Sequence, residues 1–202
     1  MSALPAFDEI LDAPSSPKSP LSHALEILFE HSPILVNVLE PQLNGVLKSS
    51  PDIASYSRLI DVALAEISKW NTQAQSQFIS GHPRIGENKN LSALSANEQG
   101  ANNVSPTPPE VLARLVHLNA CYEKKYPGLR YITFVDGRSR AAIAEEMEDM
   151  LGFPHSLSPT HPALDDISPI EVGGEDWKNE LDRALSDIGR IAKSRLKSLG
   201  GV

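Results

Sequence analysis

At 202 residues the chain is long enough for one good hydrophobic core, and its length does not call for two domains. A hydrophobic share of 41% and a charged share of 22% are those of an ordinary soluble globular protein, and a net charge of −8 argues against nucleic acid or an anionic membrane as the main partner. Cys121 is the one cysteine, so no internal disulfide can form, and no apolar run approaches the roughly 20 residues of a membrane span.

The N-terminal MSALPAFDEILDAPSSP lacks a signal-peptide pattern, and the closing Gly200-Gly201-Val202 is not a peroxisomal S-K-L type address. The expectation is a cytoplasmic or peroxisomal protein that is not secreted. Residues 1–18 are rich in Pro, Ser and Ala with one apolar patch, Phe7-Ile10-Leu11, and read as a flexible arm laying one turn on a domain of residues 19–200.

Ser19-Pro20 is a helix start, with Ser as N-cap and Pro at the first helical position, and Leu21, Leu25, Leu28 and Phe29 follow at helical spacing. Ile34-Leu35-Val36 begins a second short helix that Pro41 and Gly45 interrupt. Ser50-Pro51 repeats the N-cap-plus-Pro device. It opens a long helix striped by Ile53, Tyr56, Ile60, Ala63, Ile67 and Trp70, with Phe78-Ile79 as a further turn into Gly81.

Gly81 to Gln99 is the least helix-like stretch of the N-terminal half. It brackets a polar run with an imidazole, His82, and a carboxylate, Glu98. Pro83 biases His82 toward extended backbone, and Ser95-Ala96-Asn97-Glu98 has the S-x-x-E spacing of a capping box. The two side chains suit an acid/base pair. Each also has a plain role, His82 as a turn residue and Glu98 as the reciprocal partner in the Ser95 cap.

Thr107-Pro108-Pro109-Glu110 reads as a second capping box, opening a helix striped by Val111, Leu112, Leu115, Leu118, Tyr122 and Tyr126 and stopped by Pro127-Gly128. Tyr131 to Val135 is the only strand-like run. One run cannot make a sheet, so it is expected as a buried extended connector whose backbone, around Ile132 and Thr133, is available to a ligand. Ser139 caps a helix to Leu151 with Gly152 as its stop, and residues 152–174 form a long loop. The last helix spans about Glu175 to Leu199. The fold class is all-α: a single helical bundle of six to eight helices.

Along the last helix Trp177, Leu181, Ala184, Ile188, Ile191, Arg195 and Leu199 step inward, and the arginine breaks an apolar row. A guanidinium cannot shed its charge, so Arg195 either snorkels to water or meets a carboxylate or a ligand anion. Other candidates carry less. His117 and Cys121 lie four apart on one helix with no third metal ligand evident. His155 and His161 flank a Pro-rich loop, and Arg130, Arg138 and Arg140 cluster around the connector, where they suit a source of positive potential less well than a solvated face.

Four motifs then stand in order: W-x(11)-HP-x-I-G from Trp70 to Gly86, S-x-x-EQ from Ser95 to Gln99, N-x-x-Y from Asn119 to Tyr122, and R-I-A-x-x-RL from Arg190 to Leu196. In these the chain resembles the 2-oxo-4-hydroxy-4-carboxy-5-ureidoimidazoline (OHCU) decarboxylases, which form (S)-allantoin and CO2 in urate degradation. It departs from them at Pro127 to Phe134 and in the long Gly152–Gly174 segment. The resemblance implies catalytic roles for His82, Glu98 and Arg195, and substrate contacts at Pro83, Ser95 and Gln99, to which Ile132 and Thr133 of the connector are added. It implies a small anionic ureidoimidazoline substrate, a carboxy-lyase without cofactor or metal, and a homodimer, in which the N-terminal arm could take part. Two other readings stay open on the residues alone: a non-catalytic helical interaction module, and a hydrolase of a related ureide in which His82 activates water.

Overall fold

The computed structural model describes residues 3–50, 52–87, 92–98 and 107–200, and contacts divide the chain into two units, Met1–His82 with Asp182–Val202, and Pro83–Leu181. The fold is all-α. Nine α-helices occur among the described residues, above the expected range because Phe7–Asp12 (α1) and Ala93–Glu98 (α6) form short helices of their own.

In the first unit, α1 buries Ile10 completely. The segment after it is tied down by polar contacts. Glu40, fully buried, accepts hydrogen bonds from Ser15 Oγ at 2.6 Å, Ser16 N at 3.3 Å and Ser19 Oγ at 2.6 Å, and Asn44 Nδ2 donates to the Ala13 carbonyl at 3.2 Å. Helix α2 (Pro20–Phe29) starts as expected, with the Ser19 hydroxyl accepting from Ser22 N.

The next helix is not interrupted at Pro41. A π turn, Leu35–Leu39, leads straight into α3 (Glu40–Ser49), and the Glu40 amide donates five residues back to the Leu35 carbonyl. Pro41 has no amide to offer Asn37, and its ring crowds that carbonyl, so the chain widens by one residue there and continues through Gly45.

The expected long helix is two. Helix α4 (Tyr56–Ile67) is capped by Ser55, whose hydroxyl accepts from Arg58 N, and not by Ser50. Pro51 lies outside the described residues. Helix α5 (Thr72–Ile79) has its own cap, the Asn71 carboxamide accepting from Ala74 N at 2.8 Å. Trp70 leaves the apolar stripe and donates its indole N–H to Gln42.

In the second unit, α7 (Pro109–Lys125) packs against α8 (Arg140–Leu151), which Ser139 and left-handed Gly152 terminate as expected. Thr107 does not cap α7. Two consecutive prolines hold Pro108 extended (φ −55°, ψ 140°), so the helix begins at Pro109 without a side-chain cap. Residues 131–135 carry neither helix nor strand and are largely buried, as expected of a connector.

Helix α9 (Glu175–Ser198) contributes its first two turns to this unit and the rest to the other. Trp177, Leu181, Ala184 and Ile188 are buried as its spacing predicts, but Ala192 and Leu196 are the buried apolar side chains of its last turns, while Ile191 and Leu199 are half-buried. Close approach to α4 is set by Gly189, where an added Cβ would lie 2.7 Å from Leu64 Cδ1.

Candidate functional site

His82 ends the turn that closes α5, its amide donating to the Ile79 carbonyl at 3.0 Å. Its mount is a two-turn helix and not the long one expected. Stiffness comes from Gln75, whose buried side-chain amide donates to the Ile67 carbonyl of α4 at 3.0 Å. His82 is 3% exposed, and its imidazole stands edge-on to Phe78, with ring centroids 5.7 Å apart; Phe78 in turn lies 5.9 Å from Phe29. Gly81 lies so close to Ser32 that a Cβ there would sit 2.7 Å from the serine Cβ.

Arg195 does not snorkel. Its side chain is 2% exposed, and Nη2 donates to Glu30 Oε1 at 2.8 Å while Nη1 donates to the Ile27 and Leu28 carbonyls at 3.3 and 3.4 Å. The cation therefore sits at the carbonyl end of α2, where the helix dipole favours it. Glu30 follows that helix at φ 64°, ψ 155°, a conformation that costs a residue with a Cβ about 1–3 kcal/mol. Nor is a buried ion pair generally a net gain in stability, because both charges are stripped of water. His82 and Arg195 thus belong to one unit and are fastened to one short stretch. Phe29 meets the ring beneath the imidazole, Ser32 meets Gly81, and Glu30 grips the guanidinium.

The remaining candidates lie in the other unit. Pro83 is half-buried, and the turn after it is pinned by Asn119, whose Nδ2 donates to the Ile85 carbonyl at 3.0 Å and to the Leu115 carbonyl at 2.7 Å. Gly86 (φ +83°) passes Leu115 where a Cβ would be 3.1 Å from that residue's Cβ. Arg84 forks onto Glu123 at 2.6 and 3.0 Å, and this pairing raises its pKa further. The N-x-x-Y motif is therefore a fastener, since Tyr122 also donates its hydroxyl to Glu180 at 2.7 Å.

Ser95 is buried but caps nothing by way of Glu98. Ser92 is the cap of α6, its hydroxyl accepting from Ser95 N at 3.1 Å, and Ser95 lies inside the helix. That removes the capping-box role for Glu98, which is half-buried at the helix end. Gln99 lies outside the described residues. Ile132 and Thr133 are buried; the Thr133 hydroxyl donates to Glu146 Oε1 at 2.8 Å and accepts from Arg138 Nη2 at 3.0 Å.

Arg130 and Arg140 do not lie on a solvated face. Arg140 is 8% exposed and Arg130 half-buried, and burial lowers the pKa of both. His117 Nε2 donates to the Pro162 carbonyl at 2.8 Å and lies 3.3 Å from Cys121 Sγ, so the pair serves the loop beside it. Burial pushes the Cys121 thiol up in pKa, which keeps it protonated and unreactive.

One polar cluster escaped the sequence reading. Arg114, 1% exposed, donates Nε to Glu148 Oε1 at 2.7 Å and Nη1 to the Ser158 and His161 carbonyls, and Glu148 also accepts from Ser156 N at 3.1 Å. It fastens the 153–167 loop to α7 and α8. The signal was present, since Arg114 lies three residues from Val111 and four from Leu118, on the apolar row of its helix.

Three comparisons bear on what this arrangement belongs to. A family profile described as OHCU decarboxylase matches residues 14–156. Among solved structures the chain is similar to the crystal structure of an (S)-allantoin synthase, with a TM-score of 0.59 and 17% sequence identity, over 96% of this chain and 54% of that one. The chain therefore spans little more than half of that protein's length, and at this identity the likeness is one of fold. No curated protein sequence matches the chain.

Proposed function

Since the chain belongs to the OHCU decarboxylase family, we propose that it converts 2-oxo-4-hydroxy-4-carboxy-5-ureidoimidazoline to (S)-allantoin and CO2, with His82, Glu98 and Arg195 as its catalytic residues. The observation that carries the proposal is the buried Arg195 guanidinium, held on the same α2 turn that supports the buried His82 imidazole. A fixed cation and a proton carrier mounted on one rigid corner suit a small, carboxylated, hydroxylated ring.

The substrate supplies its own electron sink. As the bond from the ring carbon to the carboxylate breaks, its electron pair forms a double bond to the neighbouring carbon, and the ring C=N pair moves onto nitrogen, which takes up one proton from solvent. The resulting enol loses its hydroxyl proton to become a carbonyl, and the neighbouring carbon gains one. Arg195 orients an anionic oxygen of the substrate through charge-assisted hydrogen bonds. His82 and Glu98 move the hydroxyl proton. Protonation of the planar enol from one face gives one enantiomer.

Incubation of the full chain with freshly prepared substrate, following CO2 release and product optical activity, tests the proposal. Enantiopure (S)-allantoin formed faster than the spontaneous reaction is the expected result. Racemic product at the spontaneous rate would sink it, and release of ammonia or urea would point to ureide hydrolysis instead.

A further inference from the structure

We infer that Glu30 is the positioning residue for Arg195, fixing the plane and direction in which its guanidinium meets the substrate anion. The inference rests on the decarboxylation reading and extends it to a carboxylate outside the motifs through which the chain resembles its family.

Three observations converge on Glu30. It is the buried carboxylate at 2.8 Å from Arg195 Nη2, while the carbonyls of Ile27 and Leu28, two and three residues before it, receive Nη1. Contacts at both terminal nitrogens define the plane of a rigid fork, which one contact could not do. Second, its backbone at φ 64° and ψ 155° is one that glycine adopts freely and a residue with a Cβ does not. The turn after α2 would be formed with less strain by glycine, so the carboxylate is there for what it holds. Third, its neighbours Phe29 and Ser32 support the His82 mount, through Phe78 and Gly81. The orientations of cation and imidazole are therefore set from one turn. Misplacing such a group by about 1 Å can lower turnover on the order of 10²-fold.

Steady-state kinetics of the full chain carrying Glu30→Gln, Glu30→Gly or Glu30→Asp, with thermal unfolding of each, tests the inference. Side-chain guanidinium NMR would report rotation about the Arg195 terminal bonds. Glu30→Gln is expected to lose roughly 10–100-fold in kcat/KM per folded molecule and to free that rotation. Glu30→Gly is expected to do no better in activity although its backbone strain is gone. Glu30→Asp keeps the charge one methylene short, and is expected to recover part of the rate with a raised KM. If the Gln and Gly chains do not fold, the Asp variant decides alone: wild-type KM and kcat there would overturn the inference.

Wild-type kcat/KM per folded molecule in the Gln and Gly variants would overturn it as well, while leaving decarboxylation intact. Absence of turnover by the wild-type chain would remove the decarboxylation reading and this inference with it.

Discussion

Two arginines, Arg195 and Arg114, sit on apolar helix rows, and in each case burial is matched by a glutamate within 2.8 Å. Helical spacing puts both charges on the inner face of a helix, but it does not name their partners, because Glu30 and Glu148 lie far off in sequence. If Arg195 and His82 are catalytic, Arg195→Gln and His82→Asn should each lower (S)-allantoin formation roughly 10²–10³-fold, the loss usual for one oriented group. Arg195→Gln also leaves Glu30 buried without its cation, so the melting temperature has to be read beside the rate. Unchanged activity in both variants would remove the site assignment.

Arg114 tests the structural counterpart. Arg114→Leu strands the Glu148 carboxylate and should cost about 3–5 kcal/mol, seen as a melting temperature lower by roughly 10 °C. Arg114→Met with Glu148→Leu should recover only part of this. Its apolar pair repacks the charges, but the Ser158 and His161 carbonyls and Ser156 N lose their partners.

At the scale of elements, local signals succeeded where one residue alone could adopt the capping conformation. Ser19 and Ser139 are extended residues before a helix and cap as expected. The S-x-x-E spacing failed at Ser95 because Ser92, three residues earlier, had already started the helix, and the T-P-P sequence failed because the second proline forbids helical backbone in the first. The turn carrying His82 depends on a contact that no local rule contains. Gly81→Ala would drive a Cβ into that of Ser32, neither of which can swing away. A cost of about 1–3 kcal/mol in unfolding free energy is expected, with a loss of activity larger than the loss of folded protein. Normal stability and activity would show that the turn yields.

The attachment of α1 makes a pH prediction. Tyr56 donates its hydroxyl to the Pro5 carbonyl at 2.7 Å and meets Phe7 edge-on at 5.3 Å, and burial, helped by the Glu9 charge, pushes its phenol up to about 12. An unfolded tyrosine titrates near 10, so this contribution is complete below about pH 10. It is lost as pH rises toward about 12, because in that interval the unfolded chain holds fewer protons than the folded one. Denaturant unfolding as a function of pH should show stability falling over that window, and less steeply in Tyr56→Phe. Equal slopes would mean the phenol is not protected.

For the whole molecule, family membership places residues 14–156 within a known pattern, and the fold is shared with a solved (S)-allantoin synthase at an identity too low to carry more than the fold. Among the described residues no helix is long and apolar enough to cross a membrane. The helical periodicity of apolar residues, the Ser19 and Ser139 starts and the arginine in the last helix were all determined by the sequence. Each depends on residues within a turn or two of one another. The tertiary structure alone decided that Arg195 answers to Glu30, that Asn119 pins the turn after Pro83, and that Arg114 and Glu148 hold down the 153–167 loop. Those pairings join residues tens to more than a hundred positions apart. No local preference encodes them, because they exist only where packing has removed water and brought the matching donors and acceptors within reach of each buried charge or amide.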